Sequence, residues 1–281
     1  MNRKEVVGLV VVLIAVLALV ISILALTLHK PTPARHRLAG IVEWLGWAKG
    51  GKYAASLSLK EVGDREVNVF CKAGRGVLKV EFNTKPENAL EVVYTGEKPI
   101  YKTEVLDDVY RVNVEHENGV LELRVNPSIK VKLNVYFKEG ILKLVVPRGA
   151  KLTGLNVNAE RCFATLECNG FLPNTTVKTG FCSGKLVFNV DGVKGFTILN
   201  VTASNCGVTV RVKASSNLEV GVKAKARKGR LVPEVKGLTE KVKTESEVEA
   251  YTQNFEKPGL NKVYVYLHVE EGAANLEVER G

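Results

Sequence analysis

The feature that most constrains this 281-residue chain is an uninterrupted apolar run at residues 6–28. The run holds 23 residues without a charge. As a helix it would extend roughly 34 Å, which is enough to cross a hydrocarbon core of about 30 Å. A buried helix of a soluble core would carry a polar face, and this run has none. The sequence therefore predicts a single transmembrane helix over residues 6–28, after a short tail at residues 1–5.

A cleaved signal peptide is the nearest alternative to a retained helix. Its apolar core is normally about 7 to 15 residues long and ends at a site with the pattern small-x-small. The run here is longer, and Leu28 and His29 follow it where small residues would be needed. A retained anchor is favoured, so the lipid bilayer is the first partner that the sequence predicts.

Residues 29–60 are expected to link the anchor to the rest of the chain. Pro31 and Pro33 end the first helix, since proline lacks the amide donor and fixes its own φ. Apolar residues at helical spacing then predict a short amphipathic helix at residues 38–47. This helix would lie at headgroup level, cap the end of a β-core, or do both. The candidate membrane-interface residues are Arg35, Arg37, Trp44 and Trp47.

The remainder, residues 61–281, has the period-two alternation of β-strands. β-Branched residues dominate and no long helical period appears, so the sequence predicts an all-β region. The clearest predicted strands are residues 66–70, 77–82, 109–114, 120–125, 131–137, 141–146, 186–190, 208–212, 218–222, 263–269 and 274–278.

The strands also recur at a longer interval. A glycine followed by an alternating apolar run returns after about 22 residues or twice that, which is the mark of a repeat array. We therefore expect a β-solenoid of roughly 22-residue rungs. The alternative is a pair of antiparallel β-sandwich domains divided near residue 147. The positions on this grid are Gly76, Gly96, Gly119, Gly140, Gly184, Gly207, Gly229 and Gly272, with Cys162 where another glycine would be due.

One segment carries a family resemblance. Residues 142–162, LKLVVPRGAKLTGLNVNAERC, resemble the putative-adhesin or toastrack family of β-repeat proteins, whose rungs alternate a V-P-x-G-x-x-L turn with short strands. Residues 272–278, GAANLEV, are similar to that family's terminal rung. The resemblance implies a membrane-tethered surface or envelope protein without enzymatic activity, and it transfers no binding residue. The chain departs from the family pattern in its cysteines and in an irregular stretch at residues 236–257.

Composition points to a thermophilic source and argues against nucleic acid as a partner. Gln253 is the only glutamine and Met1 the only methionine, which with many charges is typical of a hyperthermophile; together with the resemblance this suggests an archaeal chain. The net charge is +10, yet the lysines are scattered and many alternate with apolar residues. This places them on the solvent faces of strands. Aromatic residues interleaved with basic patches, as in nucleic-acid sites, are lacking.

Five cysteines are present, and three of them are spaced by about one rung. Cys162, Cys182 and Cys206 would therefore form a column, either as disulfides or as buried thiols. Cys162 and Cys168 could instead pair across one turn. The odd number leaves at least one cysteine unpaired, most simply the isolated Cys71. Structural zinc sites use cysteine pairs two to four residues apart, which this chain lacks.

Two further groups of residues are candidates for modification or binding. Asn174 and Asn200 are glycosylation acceptors if the domain faces outward, and their separation is close to one rung, so both would lie on one side. Lys223, Lys225 and Arg227 alternate along one predicted strand and could meet anionic glycans or lipid headgroups. A solvated, protected strand edge explains the same pattern.

Catalysis and cofactors are not predicted. The chain has four histidines, few aspartates, and none of the phosphate-loop, nucleophile-elbow or HExxH motifs. His116 stands between Glu115 and Glu117 and is expected on a surface strand or turn.

The sequence thus favours a non-enzymatic, membrane-anchored surface protein whose rigid ectodomain acts in adhesion or as a structural element of the envelope. Envelope glycans, other surface proteins or further copies of itself are its expected partners. The alternatives are a cytoplasm-facing scaffold or sensor, or a subunit of a surface filament or membrane complex. The charges beside the helix slightly favour an inward domain, whereas the sequons and cysteines favour an outward one.

Overall fold

Alternation of β-branched and polar residues folds residues 51–281, the part that the computed structural model describes, into an all-β domain, as predicted. The predicted transmembrane helix and the amphipathic helix with Trp44 and Trp47 lie outside the described residues. The elements are β1 (Gly51–Ser58), α1 (Leu59–Val62), β2 (Glu66–Glu81), β3 (Asn88–Gly96), β4 (Ile100–Leu106), β5 (Val109–Val125), β6 (Val131–Val146), β7 (Leu152–Phe171), β8 (Thr175–Thr179), β9 (Ser183–Gly192), β10 (Phe196–Ala203), β11 (Cys206–Ala214), β12 (Glu219–Lys236), β13 (Thr239–Lys243), β14 (Glu247–Tyr251) and β15 (Lys262–Arg280).

The repeating unit is a rung, which we define as a stretch of chain that crosses a first arm, turns at a corner and returns along a second arm. In β2, β5, β6, β7, β12 and β15 the strand continues through the corner, so these strands are 16 to 20 residues long. The β8–β9 and β10–β11 pairs are rungs whose two arms are separate strands. Neighbouring rungs pair in parallel.

The interval read from the sequence is the stacking interval in the middle of the domain. Asn156 Nδ2 donates to Asn134 Oδ1 on the rung 22 residues earlier, at 2.9 Å. Asn189 and Asn169 make the same contact across 20 residues, at 2.7 Å. Residues about 22 apart therefore do lie directly over one another, and their outward amides form ladders along the stack. β6 and β7, on either side of Pro147, pair along nearly their whole length.

At both ends the rungs stack out of sequence order. β2 lies between β5 and β6, and β15 lies between the β10–β11 rung and β12. Antiparallel strands then cover the ends: β3, β1 and β4 on β5, and β14 and β13 on β12. The stretch at residues 236–257, expected to be irregular, supplies β13 and β14. These strands occupy sheet edges that would otherwise offer unpaired backbone groups.

One hydrophobic cluster fills the space between the two arms. Buried and exposed residues alternate along each arm, so that valines and leucines of every rung meet those of the next rung. Because each rung covers the apolar residues of its neighbours, no rung buries its own core alone.

The corner of the stack is a column of very close backbone contacts. Gly76 pairs with both Gly119 and Gly140, and all three have φ between +124° and +127°. A Cβ on Gly140 would lie 2.0 Å from the carbonyl oxygen of Gly76, which is far inside contact distance. Only glycine supplies both this conformation and this space.

The glycine grid read from the sequence is correct at some rungs and wrong at two. Gly272 and Gly229 continue the column at the far end, and Cys162 follows Gly140 as expected. Gly184 and Gly207, however, lie past the corner, where Gly184 pairs with Ala164 and with Val208. The corner positions of those two rungs belong to Cys182 and Cys206 instead. The sequence pattern assigned Gly184 and Gly207 to the corner because glycine is common in the chain and is also tolerated just after the turn.

The corner contact gives a direct test. Gly140→Ala should lower the free energy of unfolding by about 3 kcal/mol or more, because the new methyl group meets a backbone oxygen that cannot move without parting two rungs. Chemical denaturation of the purified protein measures this. Gly207→Ala is the matched control, since no heavy atom lies within 4 Å of its added Cβ, and its change should stay within about 0.5 kcal/mol. Equal losses in the two variants would contradict this account of the corner.

Candidate functional site

A cleft of about 520 Å³ opens at the corner of the β5, β2 and β6 rungs, and we call it the corner cleft. Strand pairing places Lys72 beside both Glu115 and Tyr136 on its outer side. Gly74 lets the two backbones approach closely there, because a Cβ at this residue would lie 2.3 Å from the carbonyl oxygen of Glu117. The lining residues are Lys72, Ala73, Gly74, Arg75, Glu115, His116, Glu117, Asn118, Tyr136, Phe137, Lys138 and Glu160.

The corner cleft combines charges of both signs with one exposed aromatic ring. Three basic and three acidic side chains line it, and Arg75 is bound outside it to Glu139, with Nε 3.2 Å from Oε2. Tyr136 is 57% exposed. Such a surface offers many donors and acceptors, no net charge to select an ion, and a flat apolar face. It suits a neutral polyhydroxylated ligand better than a phosphate or a metal ion.

Sequence reasoning did not single out the corner cleft, although the repeat contains a signal for it. Lys72, Glu115 and Tyr136 each stand four residues before a corner glycine. Aligning the repeats on those glycines would have brought the three side chains together.

His116 is buried, so its expected place on the surface is wrong. Only 4% of the residue is exposed, and its ring packs against Tyr94 with centroids 5.6 Å apart. Neither ring nitrogen has a hydrogen-bond partner among the described residues. Burial lowers the pKa of His116, against the opposing effect of Glu97, and keeps the imidazole neutral.

The structure brings two of the four disulfide candidates into contact. Sγ of Cys162 lies 3.1 Å from Sγ of Cys182, and the amide of Cys162 donates to the same Cys182 sulfur at 3.3 Å. Cys206 occupies the corner of the next rung, and its sulfur contacts Thr179 Oγ1 at 3.4 Å. All three are free thiols and are buried.

Cys168 and Cys71 lie apart from that column. Cys168 is on the second arm of β7, paired with Phe188, so it cannot meet Cys162 across a tight turn. Burial raises its pKa, and burial also raises the pKa of Cys71 to about 12. Both are unreactive buried thiols in this geometry.

The two sequons lie on the same outer face but in different settings. Asn174 is exposed in the turn before β8, and its Oδ1 accepts from the amide of Ile198. Asn200 is half-buried in mid-strand, between Thr176 and Tyr266 of the neighbouring strands. Asn174 is the more accessible acceptor, because a glycan on Asn200 would have to rise from a packed sheet.

The basic stretch of β12 has acidic residues beside it. Pairing with β14 sets Lys223 opposite Glu249 and Lys225 opposite Glu247, and Nζ of Lys223 lies 3.6 Å from the Glu249 carboxylate. Arg227 lies in a shallow depression with Glu270 and Glu271. The neighbouring carboxylates offset the positive charge that a headgroup site would need, so solvation fits this surface better.

Residues 51–281 lack both metal-binding clusters and membrane-spanning helices. In residues 51–281, no group of three histidine, cysteine or acidic side chains could hold a metal ion. Within the same residues, no helix has the length and apolarity to span a bilayer. Arg35, Arg37, Trp44 and Trp47 precede the described part.

Comparison with known proteins gives three solved structures. No protein-family model matches the chain, and no curated protein matches it. A putative cell adhesion protein from Clostridium sporogenes is 18% identical over 83% of this chain and 100% of its own, with a TM-score of 0.44. A putative adhesin from Parabacteroides distasonis is 12% identical over 83% of this chain and 98% of its own, with a TM-score of 0.23. A putative adhesin from Parabacteroides merdae is 10% identical over 82% of this chain and 95% of its own, with a TM-score of 0.21. All three are described as adhesins or cell adhesion proteins, the class that the resemblance of residues 142–162 names.

The buried imidazole predicts a pH dependence of stability. The pKa of His116 is lower in the folded state, so the unfolded chain binds a proton at this histidine more tightly than the folded chain does. The contribution of neutral His116 to the free energy of unfolding is fully present above the ordinary histidine pKa of about 6.5. This contribution is lost as the pH falls through and below that value. Urea unfolding between about pH 7 and pH 5 should show a steeper loss for wild type than for His116→Leu. His268→Gln, on an outward position of β15, is the control that should keep the wild-type slope; a wild-type slope in His116→Leu would contradict the assignment.

Proposed function

We propose that this chain is a non-enzymatic, membrane-anchored surface protein whose β-solenoid acts in adhesion or as a structural element of the envelope. The observation that carries the proposal is the continuous stack of parallel rungs, whose ends carry antiparallel strands except along the second arm of β12. Eight rungs at about 4.8 Å give a body roughly 38 Å long before its antiparallel caps are added. Such a body presents a continuous outer surface, and the apolar run at residues 6–28 would attach the chain to the membrane.

The covered ends favour a self-contained unit over a filament subunit. β1 and β4 are the outer strands at one end, and β13 is the outer strand of the first arm at the other. The second arm of β12 keeps an open edge beyond Leu231. Pro233 on this edge has no amide hydrogen to donate, and the charged residues Glu234 and Lys236 follow it. Proline and charges at an edge disfavour pairing with a strand of another chain.

The corner cleft is the ligand site that fits an adhesive role. Its exposed Tyr136 ring can stack on a sugar face, while lysine and glutamate side chains donate to and accept from hydroxyl groups. The proposed ligand is a neutral envelope glycan.

Orientation is tested on intact cells. Labelling with a membrane-impermeant amine reagent should modify lysines of residues 51–281 before lysis, and deleting residues 6–28 should move the protein from the membrane to the soluble fraction. A glycan mass on Asn174 that is absent from Asn174→Gln would agree with the outward orientation. Labelling that occurs only after lysis would favour the cytoplasm-facing scaffold instead.

Ligand binding is tested separately with the purified protein on a panel of immobilised neutral and acidic oligosaccharides. Tyr136→Ala should weaken binding of the neutral members at least about fivefold, since a stacked aromatic ring contributes about 1 kcal/mol beyond its buried area. Tyr266→Ala, on the same outer face several rungs away, is the matched control and should bind as wild type does. Binding unaffected by Tyr136→Ala, or an absence of binding, would remove the corner cleft from the proposal and leave the surface location standing.

A further inference from the structure

The contact between Cys162 and Cys182 has the features of a disulfide site in its reduced form. The two residues follow each other in the corner column, immediately before the paired residues Phe163 and Ser183. Paired neighbouring strands lie about 4.8 Å apart, within the Cα separation that a disulfide spans. Their sulfur atoms are already 3.1 Å apart, so bond formation needs only a small side-chain movement.

We propose that Cys162 and Cys182 form a disulfide that joins the β7 rung to the β8–β9 rung, while Cys71, Cys168 and Cys206 remain thiols. This assignment selects one pair from the four cysteines that the sequence left as candidates. It stands apart from the proposed surface role, because the reaction can be followed in the purified protein.

The other cysteines are excluded by where they lie. Sγ of Cys206 is turned to Thr179, with its hydroxyl at 3.4 Å and its carbonyl at 3.9 Å. Cys168 is six positions further along β7, on the second arm and away from the corner. Cys71 is buried on the first arm of β2, beside Val114 and Val135.

The surroundings of the pair also separate the roles of its two sulfurs. The thiol and the amide of Cys162 both point to the sulfur of Cys182, which lowers the pKa of Cys182 to about 7 against the opposing effect of burial. Sharing that hydrogen bond raises the pKa of Cys162. As a thiol, Cys182 donates to the carbonyl oxygen of Glu160 at 2.9 Å, and its lowered pKa makes it the first of the two to lose its proton. Cys182 is therefore the nucleophile, and Cys162 is the resolving thiol.

The reaction consumes one oxidant, a small-molecule or enzyme-borne disulfide. The Cys182 thiolate attacks one sulfur of that disulfide, forming a mixed disulfide and releasing one thiolate. Cys162 then loses its proton and attacks the Cys182 sulfur, which breaks the mixed disulfide and releases the second thiol. Two protein thiols are oxidised, one external disulfide is reduced to two thiols, and two protons leave the protein.

The bond would close a loop that contains β8 and the Asn174 sequon. The two cysteines are 20 residues apart, and a loop of that length restrains the unfolded chain appreciably. The oxidised protein should therefore melt about 10 °C above the reduced protein.

The experiment uses the purified full chain, oxidised with glutathione disulfide or reduced, then unfolded and alkylated. We expect two fewer alkylated cysteines after oxidation, and one cross-linked peptide pair containing Cys162 and Cys182. Cys162→Ser and Cys182→Ser should each abolish both the cross-link and the gain in melting temperature. Cys206→Ser and Cys168→Ser are the matched controls and should retain both.

Three results would overturn the proposal. One is full alkylation after prolonged oxidation of folded protein. Another is a cross-link that includes Cys206 or Cys168. The third is a melting-temperature gain that survives in Cys182→Ser. Because the cross-link is mapped in wild type, the conclusion does not depend on whether a serine variant folds well.

Discussion

The structure depends on the backbone contact at the corner, where each rung turns over the one beside it. At Gly76 and Gly140 the carbonyl oxygen of one rung occupies the space that a Cβ of the next would need. This contact fixes the level at which both arms leave the corner, and hence the pairing of every residue on either side of it. The continuous core and the outward amide ladders follow from that pairing, since inward and outward residues alternate from the same starting point.

The corner residues of the middle rungs are cysteines and not glycines. Cys162, Cys182 and Cys206 stand there, and none of them has the positive φ of the corner glycines. The backbone still packs closely at one of these corners, since a Cβ on Gly272 would lie 2.2 Å from the carbonyl oxygen of Cys206. The cysteine sulfur atoms occupy the corner as well, and those of Cys162 and Cys182 are in contact. The corner therefore passes from glycine to cysteine and back to glycine along the stack. This change puts a pair of thiols where two rungs can be joined covalently.

The residues that serve the proposed function lie on the outside of the stack and at its corner. Alternation sends lysine, glutamate and asparagine outward on every rung, and cross-strand pairs such as Lys223 and Glu249 offset much of their charge. The corner cleft differs because side chains of both charges line it and Tyr136 stands exposed beside them. An exposed aromatic ring beside a small polar cleft is the feature of this surface that the proposed adhesive role would use.

Alternation and spacing are local properties of the chain, so the amino-acid sequence alone predicted the all-β class, most of the long strands and the interval of about 22 residues. It did not determine which rung lies on which: the placement of β2 between β5 and β6, and of β15 beside β12, depends on pairings between distant segments. The same limit explains the errors at Gly184 and His116. Both become clear only once the rungs are aligned on the corner, where His116 takes the inward place that Ala73 and Phe137 hold on adjacent rungs. The contact of Cys162 with Cys182, and the corner cleft, were decided by that tertiary alignment, since only the stacked corner brings residues a rung apart within a bond's reach.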